Sequence, residues 1–391
     1  MPRTIKLLYV LEICYYAWFW LGIWVLYYMK FGGFAAVGLL ETVMIVSVLL
    51  FELPTGAIGD LLGKKKTLFL AYLFAGIAHL WTGFATSIFH LIGALILLNF
   101  GGALRSGTFE ALAYDTLKEN GKETLYRKVV SRLTAIRLLT LSVVGVIGGF
   151  LYAENNSFPY LLVGLVNLSG LFFIPFLAEP KIDTEKFTLK NYLKQNFYGA
   201  KQLFASAGIS AKTVALLSVV LVTLITYEGL NDMLAVGFGF TEVQLGILAS
   251  IVSLVGAASS VIAEKMHKKV PEYFLYFGAA GILLVSLLVS PFVGLVLGGV
   301  TILLRNIVTP VIENETSAII NQFIDSKYRA TALSTFAMLK SLPYAAIIYL
   351  VGVSADVFPV SSVAAVLGGF LLFALGFNAR VFLLKKKEVQ D

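Results

Sequence analysis

The sequence predicts an all-α integral membrane protein, with twelve transmembrane helices in two six-helix bundles related by pseudo-two-fold symmetry. Three observations predict it. Apolar stretches of about 18 residues or more recur along the whole chain of 391 residues. Charged residues make up only 14%, against roughly 25% in a soluble domain. The mean hydropathy is +0.86, too apolar for a water-facing surface.

In chain order the spans fall at about 7–29, 35–58, 67–87, 89–115, 131–153, 158–178, 213–236, 241–263, 272–290, 292–320, 330–354 and 359–384. The first is read as a retained helix and not a cleaved signal peptide. It is long, contains Glu12 and many aromatics, and no small-residue cleavage site follows it. Its Cys14 is the lone cysteine, so neither a disulfide framework nor a Cys-rich metal site is expected. The longest polar stretch, 181–212, follows the sixth span. It is read as a linker with a surface amphipathic helix that lays Phe187, Tyr192, Phe197 and Phe204 against lipid headgroups. The predicted domains are therefore a bundle over 1–180, this linker, and a second bundle over 213–391.

The net charge of +7 is distributed by side. Arg3, Lys6, Lys64, Lys65, Lys66, Lys118, Lys122, Arg127, Lys128, Arg132, the linker lysines, Lys265, Lys268, Lys269, Lys327, Arg329, Arg380 and Lys385 to Lys387 share one face, and the other keeps only Lys30. By the positive-inside rule both termini are cytosolic, so the basic charge is a topology signal and no nucleic-acid partner is expected.

The halves also look alike. Tyr126-Arg127 precedes the fifth span as Tyr328-Arg329 precedes the eleventh, and Arg105 lies deep in the fourth span as Arg305 does in the tenth. Lys64-Lys65-Lys66 and His267-Lys268-Lys269 occupy matching loops. Internal duplication of a six-helix unit is a transporter signature.

The loop after the second span reads Gly56-Ala57-Ile58-Gly59-Asp60-Leu61-Leu62-Gly63-Lys64-Lys65-Lys66-Thr67-Leu68. It resembles the G-x-L-x-D-R-x-G-R-K-x-x-L loop of the major facilitator superfamily, in the position that family uses, with Leu61 replacing the usual basic residue. Gly56 and Gly63 permit close helix approach and a tight turn, and Asp60 is placed to cap the next helix. The resemblance implies a conformational clamp of Gly56, Asp60, Gly63, Lys64 and Lys65, joined by Asp115 at the inner end of the fourth helix. A second signature is partly kept: Val144-Gly145-Val146-Ile147-Gly148-Gly149 retains the paired glycines of the drug-antiporter G-P-x-x-G-G stretch without its proline.

Charges within the spans need a reason, since burying one at mid-bilayer costs roughly 2.5–3.5 kcal/mol. Glu12, Glu52, Glu110 and Arg137 each lie about 8–9 Å from the cytosolic end of their spans at 1.5 Å per residue, so they are candidates for one buried cluster, with carboxylate–Arg137 pairing as its structural role. Arg105 lies deeper and faces away from Glu110, because five residues turn a helix by about 140°. In the second half Arg305, Glu313, Glu315 and Lys340 are intramembrane, and Tyr227, Glu228, Asn231 and Asp232 form a polar face on the seventh span. Gly229, Gly237 and Gly239 make that helix easy to unwind, as in transporter sites. Glu228, Asp232 and Glu41 are the candidate proton-coupling groups, because a buried carboxyl with few basic partners can load and release a proton.

The family's first helix lines the central cavity, which implies that Tyr16 and Trp20 face it; Arg105, Tyr227, Asn231, Arg305, Glu313 and Lys340 are the other candidate cavity residues, with Arg105 and Arg305 read either as binders of an anionic substrate group or as charge balance for neighbouring glutamates. Stacking there suits a flat, amphipathic or cationic molecule. The outer rings Trp24, Tyr27 and Tyr28 also suit an interfacial belt. No phosphate loop or metal-ligand spacing is present, so the expected protein is not an enzyme and needs no cofactor or metal beyond a proton gradient. The expectation is a monomeric secondary transporter in a prokaryotic plasma membrane, exporting amphipathic small molecules with protons. A transporter of a specific metabolite or lipid-like molecule is the rival, and a non-transporting sensor or assembly protein the rival outside transport.

Overall fold

The protein, analysed as a computed structural model, is described over residues 1–179, 197–267, 270–324 and 329–382, with side chains described at all of these except 52–61, 257–258, 260–267 and 330. Every regular element among the described residues is helical. Among the described residues eight helices are long and apolar enough to cross a membrane, and two more, Glu242–Gly256 and Glu272–Leu288, are apolar but shorter.

By packing, the chain forms two compact units. Unit 1 comprises Met1–Gly32, Val43–Asn191 and Thr241–Leu254, and unit 2 comprises Gly33–Thr42, Tyr192–Phe240 and Val255–Asp391.

Unit 1 is built from α1 (Arg3–Tyr15), α2 (Trp24–Met29), most of α3 (Gly33–Leu62), α4 (Lys64–Gly83), α5 (Ile88–Arg105), α6 (Thr108–Glu119), α7 (Tyr126–Glu154) and α8 (Phe158–Gly170). Its core joins Ile5, Leu8 and Leu11 of α1 to Leu68, Ala71 and Tyr72 of α4, Phe109 and Leu112 of α6, and Leu133 of α7.

Two expected spans are interrupted. The first is helical to Tyr15 and resumes only at Trp24. Between them Trp18 N–H reaches the Tyr16 carbonyl and Phe19 N–H the Ala17 carbonyl. The fourth span breaks after Arg105 at Ser106-Gly107, where Gly107 has φ +73, a left-handed value that favours glycine. Irregular backbone at membrane depth is tolerated only inside protein or along a water-filled cavity. The breaks therefore mark a protected or hydrated interior.

Unit 2 contains α9 (Ala207–Ile225), five π-helical residues Thr226–Leu230, α10 (Asn231–Gly237), the second half of α11 (Glu242–His267), whose first half belongs to unit 1, α12 (Glu272–Leu288), α13 (Leu295–Phe323), α14 (Arg329–Val357) and α15 (Val360–Phe382). The first turns of α3 pack here against α14: a Cβ at Gly38 would lie 2.5 Å from the Ile348 carbonyl oxygen.

Of the expected linker, 181–196 lie outside the described residues, as does residue 180 before it, and with them Phe187 and Tyr192 of its surface helix. Phe197 and Phe204, at its described end, are exposed. Lys268, Lys269, Lys327, Tyr328 and Lys385 to Lys387 also fall outside the described residues, and His267 outside the described side chains.

Candidate functional site

The loop between α3 and α4 departs from its expected chemistry. Asp60 lies inside α3 and not at the start of α4, whose N-cap is Gly63 at φ +81. The free N–H groups of Lys64 and Lys65 are bound instead by Glu179, at 2.7 and 2.8 Å. The cap assigned to Asp60 thus belongs to Glu179, because α3 runs on through Leu62 and the carboxylate at the end of the sixth span reaches the amides. Lys64 Nζ does pair with Asp115. Glu52, Gly56 and Asp60 lie outside the described side chains.

In unit 1 the interrupted first span meets the interrupted fourth around Glu12. This carboxylate is wholly buried and holds two arginines: Arg105 Nη2 bonds Oε2, while Arg137 reaches Oε1 with Nε at 3.0 Å and Nη2 at 2.9 Å. The Arg105 guanidinium carbon lies 4.2 Å from the Tyr15 ring centroid, 5.2 Å from Tyr16 and 4.1 Å from Phe109. Arg137 lies 4.3 Å over Tyr16.

The cluster differs from the expected set in two ways. Arg105 belongs to it, since it ends α5 where α1 is close. Glu110 does not: Phe109 takes the inward face of α6 under Arg105, which turns its neighbour outward to an exposed position. Arg137 therefore pairs with Glu12 and not Glu110. The break in the first span also lets residues two apart stack, which a helix forbids. Trp18 and Trp20 are parallel at 5.0 Å and 21°, with Tyr16 5.1 Å from Trp18.

In unit 2 the π-helical residues carry Tyr227 and Glu228 of the polar face expected on the seventh span, and Asn231 and Asp232 open α10. A π turn inside an α-helix often marks a functional site. Tyr227 is 43% exposed and Glu228 is exposed, although both lie within the 31-residue apolar segment Ala207–Gly237. Gly229 faces α14, where a Cβ would meet Ile348 at 2.9 Å. Glu41 is buried and accepts a hydrogen bond from Tyr344 at 3.1 Å. Glu313 pairs with Lys340 at 2.6 Å, which places both in one ion pair.

Arg305 is fully buried, and its hydrogen bonds go to neutral oxygens: Ser286 Oγ and carbonyl, Ser290 Oγ, and Asn231 Oδ1 at 3.3 Å. The two matching arginines thus have different surroundings, a carboxylate for Arg105 and dipoles for Arg305. Sequence reading missed Glu179, Tyr344, Ser286 and Ser290. Each is ordinary in sequence and becomes a partner only through tertiary packing.

A sequence model described as Major Facilitator Superfamily matches residues 8–347. The chain belongs to the major facilitator superfamily. Like the rest of that family it is a membrane-spanning secondary transporter of small molecules, and the family and its structural neighbours are transporters, not enzymes. It is 24% identical over 367 residues to an uncharacterized MFS-type transporter, YxaM of Bacillus subtilis (strain 168), covering 90% of this chain and 89% of that one. In fold it resembles the nucleoside transporter NupG, with TM-score 0.79 at 16% identity, covering 97% of this chain and 98% of that one. It also resembles a bacterial homologue of the iron transporter ferroportin in its inward-facing state, with TM-score 0.73 at 15% identity and the same two coverages. At these identities the likeness is one of fold.

Proposed function

We propose that this transporter exports amphipathic small molecules in exchange for protons by alternating access. The observation that carries the reading is Glu228, a carboxylate exposed on a π-helical turn within an apolar span. Intramembrane acids face a bundle interior or a water-filled cavity and mark ion pathways. On this reading Glu228 exchanges the proton, and Glu41 with its Tyr344 hydroxyl offers a second proton station in the same unit. Asp232 lies one helical turn beyond Glu228 and completes the acidic face.

On this reading the clamp of Gly56, Asp60, Gly63, Lys64, Lys65 and Asp115 holds one end of the cycle. The protein works as a monomer in a prokaryotic plasma membrane, with both termini cytosolic and a proton gradient as its only coupling agent. Inverted membrane vesicles given a panel of fluorescent amphipaths of either charge in the external medium test it. Energised vesicles are expected to accumulate at least one probe, and a protonophore to abolish the accumulation. Accumulation that survives the protonophore contradicts proton coupling.

A further inference from the structure

The structure separates the intramembrane charges of unit 1 from those of unit 2 in a way that bears on what is carried, and this step rests on the export reading above. Around the broken first span the described side chains hold one carboxylate and two guanidiniums, since Glu12 pairs with both Arg105 and Arg137. Glu110 is turned away to an exposed position. Three of the aromatic rings at the charged end, Tyr15, Tyr16 and Phe109, are already covered by cations. Arg105 lies over Tyr15, Tyr16 and Phe109, and Arg137 over Tyr16.

The free hydrogen-bonding capacity points the same way. Arg105 is 5% exposed and its Nε–H is buried without an acceptor, as is the Trp20 indole Nε1–H. Both atoms are donors, and neither can be satisfied by an ammonium group. Arg137 is the accessible member of the cluster, with its side chain 35% exposed. The Tyr16, Trp18 and Trp20 rings run away from it as a half-buried ladder.

We propose that this cluster recognises the anionic end of an aromatic amphipath, with Arg137 and Arg105 taking the anion and the Tyr16–Trp18–Trp20 ladder taking the flat apolar body. A cation at the charged end would meet two guanidiniums already seated on Tyr15, Tyr16 and Phe109. A carboxylate or sulfonate gains charge-assisted, bidentate hydrogen bonds from a guanidinium, and the unused Arg105 Nε–H and Trp20 Nε1–H are matched to acceptors. The favoured cargo is then an organic acid, not the cationic molecule that aromatic content alone suggests.

Isothermal titration calorimetry on the purified full-length protein, with three naphthalene probes of one shape, tests the assignment. 1-Naphthoate is expected to bind at least tenfold more tightly than 1-naphthylmethanol or 1-naphthylmethylammonium. Arg137→Gln is expected to remove that preference and Arg137→Lys to retain part of it. The Glu12–Arg105 pair stays in place in both variants, and an unchanged thermal midpoint verifies the fold. Tighter binding of the ammonium, equal binding of the three, no binding by any, or full selectivity in Arg137→Gln overturns the proposal. Naphthoate binding without proton movement in vesicles would leave this site standing and remove the coupling mechanism instead.

Discussion

Asp356 caps the start of α3 from far along the chain, 322 residues after Phe34: its two carboxylate oxygens accept from the backbone N–H of Phe34 at 2.7 Å and of Ala35 at 2.9 Å. Gly33, at φ +66, makes the approach possible, since a Cβ there would strike the same carboxylate. The first turn of α3 is thereby tied to the last turn of α14. Thr42 Oγ1 adds a second tie one helical stretch inward, donating to the Ala345 carbonyl at 2.5 Å. Asp356→Ala is expected to cost about 1–2 kcal/mol, the usual value of a lost cap, and to loosen this seam. In a Cys14→Ser background carrying Ala345→Cys, labelling by a membrane-impermeant maleimide should speed up several-fold when Asp356 is also removed. An unchanged rate would show that the cap does not hold the seam.

Glu179 plays the same part at the other end of the chain's first half. Glu179→Ala should lower the thermal midpoint by an amount equivalent to about 1–2 kcal/mol, because two helix-terminal amides lose a charged acceptor. Glu179→Asp, one methylene shorter, is expected to recover only part of it. Asp60→Asn should leave the midpoint close to wild type and slow transport, since the α4 cap does not involve Asp60. A large loss of stability in Asp60→Asn would return the cap to that residue.

Glu12 is the keystone of the unit 1 cluster. Glu12→Gln leaves two guanidiniums without their carboxylate, and breaking a buried pair costs roughly 3–5 kcal/mol. The effect should be non-additive. Glu12→Gln combined with Arg105→Gln is expected to be less damaged than the sum of the two single variants, by at least about 1 kcal/mol of coupling in a double-mutant cycle. Equilibrium unfolding in denaturing detergent measures it. Strict additivity would mean the pair is energetically idle.

Arg305 and Arg105 look interchangeable in sequence and are not. Arg305 spreads its donors over Ser286, Ser290 and Asn231 in several directions, a geometry that lysine cannot reproduce. Arg305→Lys is therefore expected to destabilise nearly as much as Arg305→Met when unfolding is followed by circular dichroism. Wild-type stability in Arg305→Lys would show that charge alone is needed there.

Apolar period and charge side sufficed to read the all-helical membrane architecture, because the bilayer leaves few alternatives. The family was readable from Gly56 to Leu68, where several positions match at fixed spacing. The breaks were not readable. Between Tyr16 and Ile23 only Gly22 disfavours helix, and it sits inside an apolar run; the helix stops where the rings of Tyr16, Trp18 and Trp20 stack at a spacing that helical geometry excludes. Ser106-Gly107 carried a glycine but sat inside an apolar run, so it read as helix. The intramembrane charges were visible one by one, and their depths placed Glu12 and Arg137 together. Partner choice was set by which face of α6 Phe109 occupies, a matter of packing that periodicity along one helix does not contain. The polar face at Tyr227 to Asp232 was legible from spacing, and its glycine suggested loosened helix. The structure gives that looseness the particular form of a π turn.

The most direct measurement of the central claim is the lumenal pH of proteoliposomes carrying a trapped pH dye, with an amphipath identified in the vesicle screen added outside. Wild-type protein should change the lumenal pH only when the amphipath is present. Glu228→Gln should bind the amphipath and leave the lumenal pH still. Amphipath movement by wild type with no pH change, or an undiminished pH change in Glu228→Gln, would contradict the account.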